Sequence, residues 1–80
     1  MPKTIHRPET RVLIELIRDF RREAGLTQVE LSTRIGRVQS FVSDVEQGQR
    51  RVDLIQLRDI CRAMGVDLPT FVACLEERLD

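Results

Sequence analysis

The sequence contains no tryptophan, no tyrosine and a single histidine, His6. Three phenylalanines are the only aromatics in 80 residues, so any core is largely aliphatic. One histidine with two scattered cysteines, Cys61 and Cys74, supplies no metal-ligand cluster and no nucleophile–base pair. Metal, cofactor and small-molecule ligand are therefore not expected, and neither is catalysis. The two thiols stand in apolar, uncharged surroundings, the setting of reduced core cysteines in a cytoplasmic protein. No apolar run approaches the roughly 20 residues of a membrane span, and no signal-peptide pattern opens the chain. The cytoplasm is the expected compartment.

Net charge is missing too: thirteen Lys/Arg balance thirteen Asp/Glu. That weakens a nucleic-acid reading, since such domains are often basic overall. The distribution is less even than the sum. Residues 1–53 hold ten basic against eight acidic residues, and residues 54–80 three against five. Between positions 34 and 51 stand Arg34, Arg37, Arg50 and Arg51 against Asp44 and Glu46. Any attraction to phosphate is moderate. The length allows one domain, which buries only about 60% of its unfolded surface and gains stability by pairing with a second copy.

Met1–Pro8, with Pro2 and Pro8, Lys3, His6 and Arg7, reads as a flexible arm: a frayed terminus, or an extension that wraps a nucleic-acid backbone. Residues 9–80 form the single domain. From Glu9, Val12, Leu13, Leu16, Ile17 and Phe20 recur at helical spacing, and Gly25 ends the helix. Thr27-x-x-Glu30 is a capping box opening a second helix, with Leu26 and Leu31 clamping its start. Ser32 is small where a following helix must approach closely, and Gly36 supplies the sharp turn. A third helix is expected from about Gln39 to Gln47, with Val42 and Val45 facing inward and Gly48 closing it. Asp53 caps a fourth helix with an apolar stripe of Leu54, Leu57, Ile60, Cys61 and Met64. Asp67 caps a fifth over residues 68–80, carrying Phe71, Val72, Leu75 and Leu79. No strand pattern occurs. The fold class is all-α, a compact five-helix bundle.

The third helix is unusual in what it leaves outside. Gln39, Ser40, Ser43, Asp44 and Gln47 make a face of amides, hydroxyls and one carboxylate, where helix surfaces normally favour Lys, Glu and Arg. Such groups form hydrogen bonds with base edges in a DNA major groove.

Leu26-Thr27-Gln28, Leu31, Gly36, Gln39-Ser40, Val42-Ser43 and Glu46-x-Gly48 together resemble the phage-repressor (Xre/Cro/lambda-repressor-type) helix-turn-helix family. The likeness covers roughly residues 10–75, with the helix-turn-helix itself at 27–48. It implies a lambda-repressor-like DNA-binding domain, commonly dimeric, on operator DNA. It also implies roles at matching positions. Gln39 reads an adenine, its amide oxygen accepting from N6 and its NH₂ donating to N7. Ser40 touches a base edge. Asp44 lies one turn on, where a carboxylate either accepts from cytosine N4 or stays solvated. Gln28 contacts a phosphate and braces Gln39, and Ser43 and Gln47 are phosphate or rim contacts. Arg21 and Glu46 form a structural ion pair tying the third helix to the scaffold.

Two positions depart from the family. Val38 replaces the usual capping residue, which either weakens the helix start or leaves its N–H groups for a phosphate. Arg37 stands where relatives are often apolar, as a phosphate clamp or as a stem covering the core. Arg50 and Arg51 hold phosphates or keep a loop soluble, and Phe41 touches a thymine methyl or packs on the scaffold. The last helix, through Phe71, Val72, Leu75 and Leu79, finishes the monomer core or forms the interface of a homodimer. A two-fold dimer reads an inverted-repeat operator. The expected function is sequence-specific transcriptional regulation, most simply repression, since little chain remains for an effector domain. The rival is a protein-interaction module that keeps the fold without base readout.

Overall fold

Proline is tolerated at the first helical position because the N–H it lacks has no partner there, and Pro8 opens helix α1 (Pro8–Glu23). The sequence assigns Pro8 to the arm; the helix takes it up instead, with Arg7 as the capping residue and its guanidinium paired to Glu9 at 3.2 Å. Residues 7–80 are described in the structure, a computed structural model, and the remainder of the expected arm lies outside them. Leu16 and Ile17 of α1 are fully buried, with Leu13 and Phe20 packed beside them.

Helix α2 (Gln28–Arg34) begins with the expected capping box: Glu30 N donates to Thr27 Oγ1 at 3.0 Å and Thr27 N donates to Glu30 Oε1 at 2.8 Å. Leu26 and Leu31 are both buried at this entrance. The helix ends where Gly36 adopts φ +71, letting Gly36 N reach Thr33 O and Arg37 N reach Ser32 O. That double bond is the Schellman closure, which needs a left-handed residue and so favours glycine.

Helix α3 (Phe41–Glu46) is shorter than its sequence pattern suggests. Val38, Gln39, Ser40 and Phe41 form one tight turn, in which Phe41 N donates to Val38 O at 3.0 Å; regular α bonding begins with Asp44 N to Ser40 O. Val38 has no side-chain acceptor for the first N–H groups, and the tighter i→i+3 turn satisfies one of them from the backbone. Helix α4 (Leu54–Met64) carries a second capping box, between Asp53 and Gln56. Its buried face is Leu57, Ile60, Cys61 and Met64, but Leu54 is 64% exposed and Ile55 67%. Side chains tilt toward a helix's N-terminus, so Leu54, the first residue, projects past the end of the core.

Helix α5 (Leu68–Leu79) starts from Asp67, whose Oδ1 accepts from Thr70 N at 2.9 Å, with Pro69 in the first turn. Phe71 is 0% exposed and meets Phe20 with ring centroids 5.5 Å apart, tilted by 44°. Full burial of such a ring stabilises by about 2–3 kcal/mol. Among the described residues there are five helices and no strand. Helix α1 packs on α3 and α5, α2 on α3 and α4, and α4 on α5. All five supply the core, through Leu16, Leu31, Val42, Ile60 and Phe71 among others. Cys61 and Cys74 are free thiols. Burial first, and the charge of Asp67 second, push the Cys61 thiol up to about 11, so it stays neutral within the core. Among the described residues, no helix is long and apolar enough to cross a membrane.

Candidate nucleic-acid interface

The junction of α2 and α3 rests on a buried hydroxyl. Ser32 is fully buried, and its Oγ accepts from Val42 N at 3.0 Å. This one bond takes an N–H that the short helix α3 cannot satisfy internally and fixes the two helices against each other. A bulkier residue would hold the backbones apart, and alanine would leave the N–H without its partner.

The far end of α3 is held by charge. Arg21 donates twice to Glu46, Nε to Oε2 at 2.7 Å and Nη2 to Oε1 at 3.1 Å, and its Nη1 donates to Leu26 O at 2.9 Å. Arg21 is 8% exposed and Glu46 5%. Gln28 Nε2 adds a third donor to Glu46 Oε1 at 2.9 Å, and Arg18 stands 3.8 Å from the same oxygen. A buried carboxylate must be compensated by hydrogen bonds and opposite charge, and here both oxygens accept, three times in all. Glu46 therefore joins α1, the entrance of α2 and the end of α3. The expected bond from Gln28 to Gln39 is replaced by this one: the amide of Gln28 reaches across to the C-terminal end of α3, where an ionised acceptor offers a stronger bond than a neutral amide.

Between these anchors lies the polar surface. Gln39 and Ser40 are exposed in the turn that leads into α3, and Asp44, half-buried, follows Ser40 by four residues on the same face. Gln47 is exposed and donates through Nε2 to Ser43 Oγ at 3.2 Å. Arg37 precedes the turn, and Arg50 and Arg51 follow α3; all three are exposed. Phe41 is 1% exposed, which removes it from any thymine contact. The guanidinium carbons of Arg37 and Arg50 lie 4.6 Å and 4.9 Å from its ring centroid. Sequence spacing places Phe41 beside the polar face, but its ring turns inward and is covered by the two arginines.

Residues 13–71 match the family described as a helix-turn-helix domain. The chain belongs to that family. This helix-turn-helix protein is 39% identical over 58 residues to the uncharacterized HTH-type transcriptional regulator y4dJ of Sinorhizobium fredii, covering 72% of this chain and 75% of the relative. Its fold superposes with a TM-score of 0.86 on an XRE-family like protein from Pseudomonas syringae pv. tomato str. DC3000, at 42% identity, over 96% of this chain and 94% of that one. The restriction–modification controller protein C.Esp1396I gives a TM-score of 0.85 at 20% identity, over 92% and 97% of the two chains, a likeness of fold alone. The XRE-type assignment is thus reached from the motif residues, the sequence match and the three-dimensional fold.

In helix-turn-helix terms, α2 and α3 are the motif, Gly36 its turn, and the Gln39–Ser40 turn the leading edge of the second helix. Arg21, Gln28 and Glu46 are brought together, and the side-chain amide of Gln28 bonds Glu46 in place of Gln39. Of the four residues expected at a dimer interface, Phe71 is withdrawn into the monomer core, Leu75 is half-buried, and Val72 and Leu79 are exposed. Two features went unread in the sequence. Ser32 was legible as small, but its role as an acceptor depends on the crossing of α2 and α3. The exposed pair Leu54–Ile55 was hidden because Leu54 continues the apolar stripe of α4. Among the described residues, no group of three or more His, Cys, Asp or Glu is placed to hold a metal ion.

Proposed function

We propose that this helix-turn-helix protein is a sequence-specific transcriptional repressor that presents the leading end of α3 to the major groove of double-stranded DNA. The observation that carries the reading is the exposed Gln39–Ser40 turn, fixed from behind by the Ser32–Val42 bond and by the buried Arg21–Glu46 pair. Base readout needs side chains that are free at their tips and immobile at their backbone. Gln39 recognises an adenine, Ser40 touches an adjacent base edge, and Asp44 accepts from a cytosine N4. Arg37, Arg50 and Arg51 hold phosphates on either side, with Gln28, Ser43 and Gln47 completing the backbone contacts. One amide hydrogen of Gln28 serves Glu46 and the second is left for a phosphate oxygen.

The chain acts in the cytoplasm as a homodimer. Its net charge of zero gives one copy weak attraction to DNA, and two copies bound to one site combine their contacts. The interface uses Val72 and Leu79 of α5, with Leu75 at its edge; Leu54 and Ile55 offer a second exposed apolar pair. Two-fold symmetry sets the recognition helices about 34 Å apart on an inverted repeat. Repression follows from occupancy of the operator alone.

Selection of binding sites from random duplex DNA tests this reading. An inverted-repeat consensus with half-sites one helical turn apart supports it. Binding with no preferred site would instead favour a protein-interaction module on the same fold.

A further inference from the structure

We infer that Phe41 is a positioning residue that gathers Arg37 and Arg50, from opposite ends of α3, into one paired phosphate clamp. The inference rests on the DNA-binding reading above and deepens it. The clamp is visible only in three dimensions. Arg37 lies in the loop before the recognition turn and Arg50 in the loop after the helix, yet their guanidinium carbons stand 4.6 Å and 4.9 Å from the same ring centroid. Both distances are within the range in which a cation is attracted to an aromatic face. The ring itself is buried, at 1% exposed, so its position is set by the core and not by the arginines.

Three physical consequences follow. First, the two guanidiniums lie no farther apart than about one screening length at 0.1 M salt, roughly 10 Å, so each feels the other's charge. A bound phosphate relieves that repulsion. Second, an arginine held against a ring has already lost much of its rotamer freedom, which lowers the entropy cost of meeting a phosphate. Third, the flat guanidinium can stack while its N–H edge still points outward, so the ring and the phosphate do not compete for the same face. Phe41 thus contributes to DNA affinity without touching DNA. An aliphatic residue of similar size would fill the core and release both arginines.

The test compares the parent protein with Phe41→Leu and Phe41→Tyr on the selected duplex and on a scrambled duplex, across a salt series. Melting curves accompany each variant. The Arg37 and Arg50 Nε–H resonances of the free protein are followed by NMR. In the parent, both resonances carry ring-current shifts. Phe41→Leu loses those shifts, binds both duplexes about ten-fold more weakly, and flattens the plot of log affinity against log salt by up to about 0.9 per lost contact, while its base preference stays unchanged. Phe41→Tyr, which keeps the ring, restores the shifts and the slope. If Phe41→Leu melts below the assay temperature, Phe41→Met, unbranched and free to fill the same space, reads the same quantities. A folded ringless variant with the parent's salt slope overturns the inference, whether or not its affinity falls. A parent that binds no duplex overturns the DNA-binding reading itself, and the inference with it.

Discussion

Arg21 and Glu46 meet with Nε and Oε2 2.7 Å apart, although 25 positions separate them in the chain and neither is open to water. The pair ties the end of α3 to α1; Arg21 Nη1 donates to Leu26 O and Gln28 Nε2 donates to Glu46 Oε1, so neither ion is short of hydrogen bonds. Glu46→Gln is expected to destabilise the fold by about 3 kcal/mol, because it strands a buried guanidinium. The double variant Arg21→Met, Glu46→Leu should lose less than Glu46→Gln alone. Urea unfolding of the parent and the two variants checks this; a double variant that loses more stability than Glu46→Gln would show that the stranded guanidinium is not the source of the cost.

Ser32→Ala removes one oxygen and no packing volume of consequence. Val42 N then loses its acceptor inside the core, at a cost of about 1–3 kcal/mol. Amide exchange at Val42 should accelerate more than exchange at Leu31, since the change frees the start of α3 and spares α2. Equal acceleration at both would place the Ser32 hydroxyl outside the hinge between the helices.

The cap of α5 titrates. Hydrogen bonding from Thr70, through its side chain first and its backbone N–H second, holds the Asp67 carboxyl below the ordinary value of 3.8. A carboxyl whose folded pKa is depressed contributes stability that is complete above its unfolded pKa and is lost as pH falls through the folded one. The melting temperature should therefore decline as pH drops below about 4, and decline less steeply in Asp67→Asn, where a neutral amide caps without titrating. Identical acid limbs for the two proteins would remove Asp67 from the account of acid lability.

Local chemistry made much of the fold legible. Thr27, Asp53 and Asp67 cap helices because each finds its partner three residues on, and the apolar stripes of α1 and α4 repeat at helical spacing. What escaped the sequence depends on distance between elements. Spacing places Phe71 and Val72 on α5 but does not say which one meets Phe20 at the centre of the bundle. The same limit hid the exposure of Leu54. At the site, Arg21 and Glu46 were available through family resemblance. The partner of Gln28 was not, since it depends on how near the start of α2 comes to the end of α3. Phe41 shows the clearest gap: sequence order puts it among polar residues, and packing turns it into the floor beneath two arginines.

The proposed base readout begins at Gln39, the exposed amide at the leading edge of α3. Its most direct measurement is the affinity of the parent and of Gln39→Ala for the selected operator and for every single-base-pair change within one half-site. A loss of about 1–3 kcal/mol on the operator is expected. Discrimination should collapse at one A·T pair per half-site and persist elsewhere. A Gln39→Ala protein that ranks all these sites as the parent does, with equal affinity, would overturn the assignment of base readout to Gln39.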